Sequence, residues 1–355
     1  MIWLPRCRAI LAASCVFIGL SDAARAELPW TDVKPAPSIA VVAQSGDAPL
    51  ADLVFDAKGR MLARSGAIPG TDTLVLVSSG QTTRYPIVAE AGGSPVQRIS
   101  ALAGGSGDTL WAVDAAAGKA SVLRLQTGDN AATITARYQL DSAVRSGSRL
   151  TAITVDKARA YIADAGEPGI IILDLKTGAV KRVLDANQSL VPQRPVSVDG
   201  MILRDPRGLP IGREDTLLAV SPDGAWLFYQ PVSGPLFRVE TALLTDPDYS
   251  PIEQLEGVVQ WRGTPSVTGM VMAPDGSLYM ADIAEHAVLR FTPGRLPQRL
   301  TTDPRLDTPL SIAIGPDHAI YVATGSLDAD ATRQNDMPRW KGSGSIIRLI
   351  PPPLP

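Results

Sequence analysis

The chain has 355 residues, and its 33 lysines and arginines against 36 aspartates and glutamates give a formal net charge of −3. A mildly acidic chain without a basic stripe is not expected to bind nucleic acid. Its 31 glycines and 30 prolines favour many short strands joined by turns, and therefore an all-β protein.

The first 26 residues are predicted to be a cleaved signal peptide. Arg6 and Arg8 precede an apolar run, 9–20, that is too short to span a bilayer. The small residues Ala24 and Ala26 then place the cut before Glu27. The mature chain is expected to be secreted or periplasmic, with no insertion into a membrane.

Both cysteines, Cys7 and Cys15, lie inside this segment. The mature chain is therefore expected to have no disulfide, no thiol nucleophile and no thiolate metal site. A lipoprotein box ending at Cys15 is the alternative interpretation. It fits less well, because cleavage there would leave the apolar stretch 16–20 at the mature N-terminus.

After the signal segment the sequence repeats one unit. In the clearest copy, 267–282, an apolar strand leads into a Pro-Asp-Gly turn, and a second strand ends at an aspartate. A meander of this kind cannot bury both faces alone, so the copies must pack in a ring. The prediction is a single domain over 27–355 with a six-bladed β-propeller fold of four-stranded antiparallel blades. The six copies are 53–64, 102–114, 152–164, 218–229, 267–282 and 311–323.

Two further expectations concern this ring. The extended apolar segment 38–42 is expected to close it by joining the last blade beside 346–349. The uneven spacing of the turns predicts insertions at about 185–214, 231–262 and 325–344. Long loops on a rigid scaffold are where function usually lies.

A run of motifs between Tyr161 and Thr245 carries a family resemblance. The motifs are YIADAG at 161–166, GIIILDLKTG at 169–178, VDG at 198–200, LAVSPDG at 218–224, QPVSG at 230–234 and FRVET at 237–241. They resemble the Yellow and major royal jelly protein family, which has secreted bacterial members. The resemblance implies a six-bladed propeller with a ligand pocket at one end of the central channel. It implies little about chemistry, since the family includes pigment-pathway, nutritional and amine-binding proteins.

A more distant similarity is to the SMP-30 and gluconolactonase group, whose six-bladed propellers hold a divalent metal in the channel. That pattern implies Asn or Asp near the start of the first strand, where this chain has Thr216 and Thr268. Threonine is a poorer calcium ligand than a carboxylate. No cofactor is therefore expected. Under the alternative of a metal enzyme, Asp164 and Asp282 would hold a divalent cation such as calcium.

Three aspartates, Asp114, Asp164 and Asp282, end the second strands of their repeats. Because a second strand ends where the first one starts, these side chains should surround one mouth of the channel. Three carboxylates there can bind an amine, a sugar or a cation. The alternative is that each one caps its own turn by accepting hydrogen bonds from backbone amides.

Further candidates lie in the predicted insertions. Asp199 belongs to the first of them, and Trp261 and Trp340 fall outside the repeat pattern, where they can contact a ligand. His286 follows Asp282 in a turn and can form an acid–base pair with it, although a histidine in a turn is more often structural. The sequence contains no nucleophile elbow, zinc-binding helix, P-loop or dinucleotide fingerprint.

The leading functional hypothesis is an exported Yellow-like propeller that binds a small organic molecule at the channel mouth. The ligand-contact residues predicted for it are Asp114, Asp164, Asp199, Thr216, Trp261, Thr268, Asp282 and Trp340. One alternative is a metal-assisted lactonase or related hydrolase, with the aspartates holding the ion. Another is a platform for protein interactions, which any propeller can provide. The sequence leaves the ligand, any reaction and the oligomeric state open.

Overall fold

The computed structural model describes residues 29–44, 49–65, 73–78, 81–89, 93–116, 119–204, 215–325 and 344–355. The predicted signal peptide with Cys7 and Cys15 lies outside these residues. So do Trp340 and nearly all of the insertion predicted at 325–344. The insertion predicted at 185–214 is described up to Arg204.

Six small antiparallel sheets form the six blades of a propeller, which confirms the predicted fold. Blade 1 contains β3 (Leu50–Phe55), β4 (Met61–Ser65), β5 (Thr73–Ser78) and β6 (Gln81–Arg84). Blade 2 contains β8 (Ile99–Gly104), β9 (Thr109–Ala116), β10 (Lys119–Thr127) and β11 (Ala132–Gln139), with β7 (Ile87–Val88) parallel to β11. Blade 3 contains β12 (Leu150–Val155), β13 (Arg159–Asp164), β14 (Gly169–Asp174) and β15 (Val180–Val183).

The other three blades follow the same order from the channel outwards. Blade 4 contains β18 (Thr216–Val220), β19 (Trp226–Pro231), β20 (Leu236–Glu240) and β21 (Val259–Arg262). Blade 5 contains β22 (Val267–Met272), β23 (Leu278–Asp282), β24 (Ala287–Phe291) and β25 (Pro297–Thr302), with β1 (Thr31–Asp32) parallel to β25. Blade 6 contains β26 (Thr308–Ile314), β27 (Ile320–Gly325), β28 (Ser345–Leu349) and β2 (Ile39–Gln44).

The N-terminal strand closes the ring, as the sequence predicted. Strand β2 lies antiparallel to β28, with Val41 opposite Ile347 and Ala43 opposite Ile346. Ala43 is buried among the side chains between blades 6 and 1, whereas Val41 on the same strand is 43% exposed. The last blade therefore takes its outer strand from the other end of the chain. The innermost strands also complete a circle, because β26 contacts β3.

One aromatic side chain of the second strand fills the space between neighbouring blades. Trp111, Tyr161, Phe228 and Tyr279 each lie in a core cluster that contains residues of the next blade. Tyr321 packs against Phe55 of blade 1, with ring centroids 4.8 Å apart. The repeat places a large apolar surface wherever one blade must cover the next.

The turns between first and second strands share one construction. In blades 4, 5 and 6 the aspartate of the turn accepts a hydrogen bond from the amide two residues ahead. The next residue, Gly224, Gly276 or His318, has a positive φ of 73°, 84° or 59°. A glycine adopts this conformation without strain, and His318 adopts it less readily.

The insertion predicted at 231–262 is smaller than expected, because strands β20 and β21 of blade 4 lie inside that range. The added segment comprises α1 (Thr241–Thr245), α2 (Pro251–Glu256) and their connections. It separates the fourth strand of blade 4 from the third strand in the sequence. Helix α2 starts with a capping box between Ser250 and Glu253. Trp261 therefore belongs to a blade strand, which corrects its placement in an insertion.

The insertion after blade 3 begins with a 3-10 helix (Gln188–Leu190) and continues into a hairpin of β16 (Ser197–Val198) and β17 (Met201–Ile202). Val196 and Leu203 at the base of the hairpin pack against Val232 of blade 4 and Ile283 of blade 5. The hairpin thus covers the junction of these two blades. No helix in the described part of the chain is long and apolar enough to cross a membrane.

Candidate ligand-binding site

The centre of the propeller contains a cavity of about 630 Å³. All six innermost strands contribute to its wall, and the turns after the first strands of blades 1, 2, 5 and 6 surround one end of it. The lining residues are 52–57, 102–105, 107, 152–155, 217–220, 268–272, 274, 310–316 and 318.

The wall of this cavity combines apolar and polar surface. Leu217, Met270, Val271 and Leu310 are half-buried members of the lining, and none of their side chains carries a hydrogen-bond donor. Gly269 allows blades 5 and 6 to approach here, because a Cβ at that position would lie 2.8 Å from the amide nitrogen of Ile312. The inner strands of blades 5 and 6 therefore lie close together at this point of the cavity wall.

Several polar groups of the lining are already hydrogen-bonded within the protein. The Ser311 hydroxyl accepts a hydrogen bond from the amide of Leu53 at 2.7 Å. The Thr268 hydroxyl donates to the carbonyl of Pro309 at 2.5 Å. These bonds join neighbouring blades, so they stabilise the ring at the level of the cavity.

Asp52 is the lining carboxylate that remains partly accessible. It lies at a bulge in β3 with a positive φ of 50°, and its side chain is 25% exposed. Its Oδ2 accepts a hydrogen bond from Nε of Arg64 at 2.7 Å. A carboxylate offers about four acceptor positions, so this ion pair leaves room for a donor on a ligand. Asp56 differs, because its side chain is fully buried and holds the turn at Lys58 and Arg60.

The aspartates that end the second strands make the hydrogen bonds expected of caps. Asp114 accepts from the amides of Gln97 and Arg98 and pairs with Arg137 at 2.9 Å. Asp282 accepts from the amides of Ala284 and Glu285. These contacts support the interpretation of the aspartates as turn caps, and their role in ligand binding stays a prediction.

Asp164 is the most clearly structural of these residues. Its side chain is fully buried and accepts five hydrogen bonds, from the Ser148 hydroxyl, the Arg182 guanidinium and the amides of Arg149, Gly166 and Glu167. Burial alone would raise the pKa of this carboxyl, but the donors outweigh burial, and the pKa is lowered. The ionised carboxylate thus ties three segments of blade 3 together.

His286 pairs with Asp199 and not with Asp282, which corrects the expected acid–base pair. Its Nε2 lies 2.9 Å from Oδ1 of Asp199, and its Nδ1 lies 3.0 Å from the carbonyl oxygen of Leu306. Asp282 is occupied by the amides of its own turn. Because both ring nitrogens face acceptors, the doubly protonated ring suits this environment. Burial lowers the pKa of His286, but the two acceptors outweigh it and the pKa is raised.

The contact between Asp199 and His286 also fixes the hairpin formed by β16 and β17. Asp199 has a positive φ of 51° at the turn of this hairpin, and its amide donates to the carbonyl of Ala284 at 3.1 Å. His286, in the turn of blade 5 beneath, also has a positive φ, of 52°. Two turns are thus joined by one side-chain bond and one backbone bond. We call the contact between Asp199 and His286 the latch, because it holds the hairpin against blade 5. Asp199 does not belong to the cavity lining.

The remaining predicted residues lie in different surroundings. Thr268 lines the cavity, whereas Thr216 is buried at the start of β18, and its hydroxyl finds no hydrogen-bond partner in the described part of the chain. Trp261 packs between Phe228 and Phe291, with ring centroids 5.2 and 5.1 Å away, so its ring takes part in the contact between blades 4 and 5. Of the predicted contact residues that the structure describes, only Thr268 belongs to the lining.

Metal ligands are not assembled in the described part of the chain, which contains no cluster of three or more histidine, cysteine, aspartate or glutamate side chains suited to an ion. Asp164 and Asp282 belong to different blades, and each is engaged by its own turn. The donor set that the sequence offered for calcium therefore fits a metal poorly.

Sequence reasoning missed the residues that form the cavity wall. Asp52, Met270 and Leu310 lie in first strands, whose apolar character signals burial without showing which residues face the channel. The one available signal for Asp52 was a charged residue inside an otherwise apolar strand.

Comparisons with known proteins agree with this architecture. The family model described as major royal jelly protein matches residues 120–301, which is more than half of the chain. Among solved structures, a calcium-binding protein, regucalcin, from Agrobacterium tumefaciens is 17% identical with a TM-score of 0.50, covering 88% of this chain and 99% of its own. A luciferin-regenerating enzyme is 13% identical with a TM-score of 0.50, covering 88% and 95%. Likeness at these identities concerns the fold. No curated protein matches the sequence.

Proposed function

Because the chain belongs to the major royal jelly protein family, we propose that it is an exported propeller that binds a small organic molecule in its central channel. The observation that carries the proposal is the cavity of about 630 Å³ bounded by all six blades. Small-molecule sites typically measure roughly 300 to 1,000 Å³ and combine apolar walls with a few polar groups. The N-terminal sequence supports export.

The lining suggests the chemistry of the ligand. Leu217, Met270 and Leu310 favour an apolar body, and methionine adapts well to irregular shapes. The carboxylate of Asp52 favours a hydrogen-bond donor, and a cationic amine would gain most because charge-assisted bonds are the stronger ones. An aromatic amine combines both features.

This proposal moves the ligand from the strand-end aspartates to the cavity wall. The carboxylates of Asp114 and Asp164 are bound by backbone amides and arginines, so a ligand would have to displace those donors. Thr268 is shared by the two versions of the site. We expect contacts to Asp52, Thr268 and Met270 to dominate the binding energy.

The proposal is tested by titrating the purified protein with tryptamine in a calorimeter. Wild-type protein is expected to bind at one saturable site. Met270→Trp adds bulk to the lining and should weaken binding at least roughly ten-fold, which corresponds to about 1.4 kcal/mol. Val88→Trp is the matched control, since Val88 is 49% exposed on a short outer strand.

Two results would contradict the proposal. The first is the absence of saturable binding by the wild type to a panel of aromatic amines. The second is equal affinity in Met270→Trp and Val88→Trp, because the ligand would then lie outside the channel. Circular dichroism of the two variants shows whether both are folded.

A further inference from the structure

A cluster of tryptophans and arginines occupies the cleft between blades 4 and 5, away from the central cavity. The guanidinium carbon of Arg238 lies 4.0 Å from the ring centre of Trp226 and 5.8 Å from that of Trp261. The guanidinium carbon of Arg262 lies 4.7 Å from the ring centre of Trp261. We call Trp226, Arg238, Trp261 and Arg262 the tryptophan–arginine cluster.

The arginines of the cluster form no ion pair with a carboxylate of the described residues. Within the described part of the chain, Arg238 makes no hydrogen bond and no ion pair, and Arg262 donates only to the carbonyl of Trp261. Burial lowers the pKa of Arg238, and the charges of Arg295 and Arg262 lower it further. Glu240 favours the charge on Arg238 but forms no salt bridge with it. The cluster therefore suffers electrostatic repulsion that an anion would relieve.

The fourth strands of two other blades show what an arginine on a fourth strand, such as Arg262, does when a carboxylate is present. Arg137 and Arg182, on the fourth strands of blades 2 and 3, pair with Asp114 and Asp164 at 2.9 Å. In blade 4 Pro231 stands at the end of the second strand, where those blades have the aspartate. The repeat thus removes a carboxylate from the blade that holds the cluster.

The buried nitrogens of the cluster are all donors. Nε of Arg238, Nε of Arg262 and Nε1 of Trp261 are buried and have no hydrogen-bond partner among the residues that the structure describes. Nε1 of Trp30 is in the same state, and its ring packs on Phe291, which also contacts Trp261. Unpaired buried donors cost free energy, so a set of them in one place calls for acceptors.

We propose that the tryptophan–arginine cluster binds an oxyanion, a phosphate or sulfate group, with Arg238 and Arg262 as its donors and Arg295 at the entrance. Arginine forks match the oxygen geometry of phosphate and sulfate, and charge-assisted bonds of this kind are strong. Arg238 and Arg262 are half-buried and Arg295 is exposed, so the site is open to solvent on one side. The tryptophan rings hold the guanidinium planes in position.

The competing explanation is that the arginines only pack on the tryptophans. A comparison with Arg124 separates the two, because its guanidinium carbon lies 6.0 Å from the ring centre of Trp111 on blade 2. Arg124 is exposed and lies on β10 of blade 2, whereas the cluster belongs to blade 4. Arg124→Gln thus removes a stacked positive charge without touching the proposed site.

The test measures the unfolding midpoint in sodium phosphate and in sodium chloride of equal ionic strength. Phosphate stabilises proteins in general, so the informative quantity is the difference between variants. Wild type and Arg124→Gln should show the same saturable gain in phosphate. Arg295→Gln should require roughly ten-fold more phosphate for half of that gain, and Arg238→Gln should lose the saturable part.

An equal gain in wild type, Arg295→Gln and Arg238→Gln would overturn the proposal, as would the absence of any saturable gain in the wild type. Arg295 is exposed, so Arg295→Gln decides the question if Arg238→Gln does not fold. Co-sedimentation with phosphatidylglycerol vesicles, against phosphatidylcholine vesicles, then distinguishes a lipid headgroup from a soluble phosphate. A phosphate on a lipid headgroup and a soluble phosphate would both bind at the tryptophan–arginine cluster.

Discussion

Asp164 shows at the residue scale how a candidate ligand becomes part of the framework. The carboxylate accepts five hydrogen bonds and its side chain is fully buried. Asp164→Ala should lower the free energy of unfolding by about 3 kcal/mol, because it leaves the Arg182 guanidinium and several amides without an acceptor. Denaturant unfolding measures this change.

The control for Asp164 is Asp129→Ala. Asp129 also pairs with a cation, Lys58, at 2.6 Å, but its side chain is 84% exposed. Its loss should leave stability close to that of the wild type. Equal losses in both variants would show that Asp164 is not a structural cap.

The pKa of Asp164 is lowered in the folded protein, so its contribution to stability depends on pH. That contribution is present above the pKa of the unfolded state, about 3.9, and is lost as the pH falls through the pKa of the folded state.

The latch between His286 and Asp199 predicts a pH dependence of the opposite sign. The pKa of His286 is raised, so its contribution is fully present below the unfolded value of about 6.5 and is lost as the pH rises through the folded value. Because the pair is partly exposed, we expect a contribution of roughly 0.5 kcal/mol.

This pH dependence is measured as the unfolding free energy at about pH 5.5 and about pH 9. Asp199→Asn should reduce the part of the difference that His286 supplies, and the carbonyl of Leu306 should retain the remainder. His318→Asn should leave it intact, because His318 lies in the turn before β27 and pairs with no carboxylate among the described residues. If Asp199→Asn and wild type responded identically, the contact would not contribute to stability.

At the scale of a single element, the prediction concerns β2, the strand that closes the ring. Residues Val41 and Ala43 lie on the same strand, β2, and differ in environment: Ala43 is 4% exposed and Val41 is 43% exposed. Ala43→Asp should lower the free energy of unfolding by roughly 3 kcal/mol, since it buries a carboxylate in the contact of blades 6 and 1. Val41→Asp should change it by less than about 1 kcal/mol. Thermal unfolding measures the loss of stability in each variant. Equal losses in Ala43→Asp and Val41→Asp would contradict the closure of the ring by β2.

The sequence predicted the elements wherever local chemistry defines them. The Pro-Asp-Gly turns at 222–224 and 274–276 and the aromatic residue of each second strand fix the blade order. The fourth strand of blade 4 escaped prediction because α1 and α2 separate it from the third strand. The sequence pattern therefore places Trp261 outside the repeat, whereas the structure places it in β21.

The position of the cavity was harder to predict than the fold. Asp114, Asp164 and Asp282 stand out in a sequence because they are charged, and the same charge makes them effective caps for turns. The cavity wall consists of side chains such as Met270 and Leu310, which look like any core residue. Which of them face the channel depends on the packing of six blades in a ring, a property of the whole molecule.

At the scale of the whole molecule, the binding role and the metal-hydrolase role make different predictions about metal removal. Dialysis against EDTA should leave both the unfolding midpoint and the affinity for an aromatic amine unchanged, because Asp164 and Asp282 are engaged by backbone amides. Elemental analysis provides the check. Stoichiometric calcium that disappears in a variant with Asp164→Ala and Asp282→Ala would favour the metal enzyme.

The central claim is that the channel of about 630 Å³ is the ligand site. A crystal structure of the protein grown with the tightest-binding aromatic amine tests it most directly. We predict electron density for the amine between Leu217, Met270 and Leu310, with its nitrogen close to the carboxylate of Asp52. Density for the amine beside Asp114, Asp164 and Asp282, with an empty channel, would contradict the account.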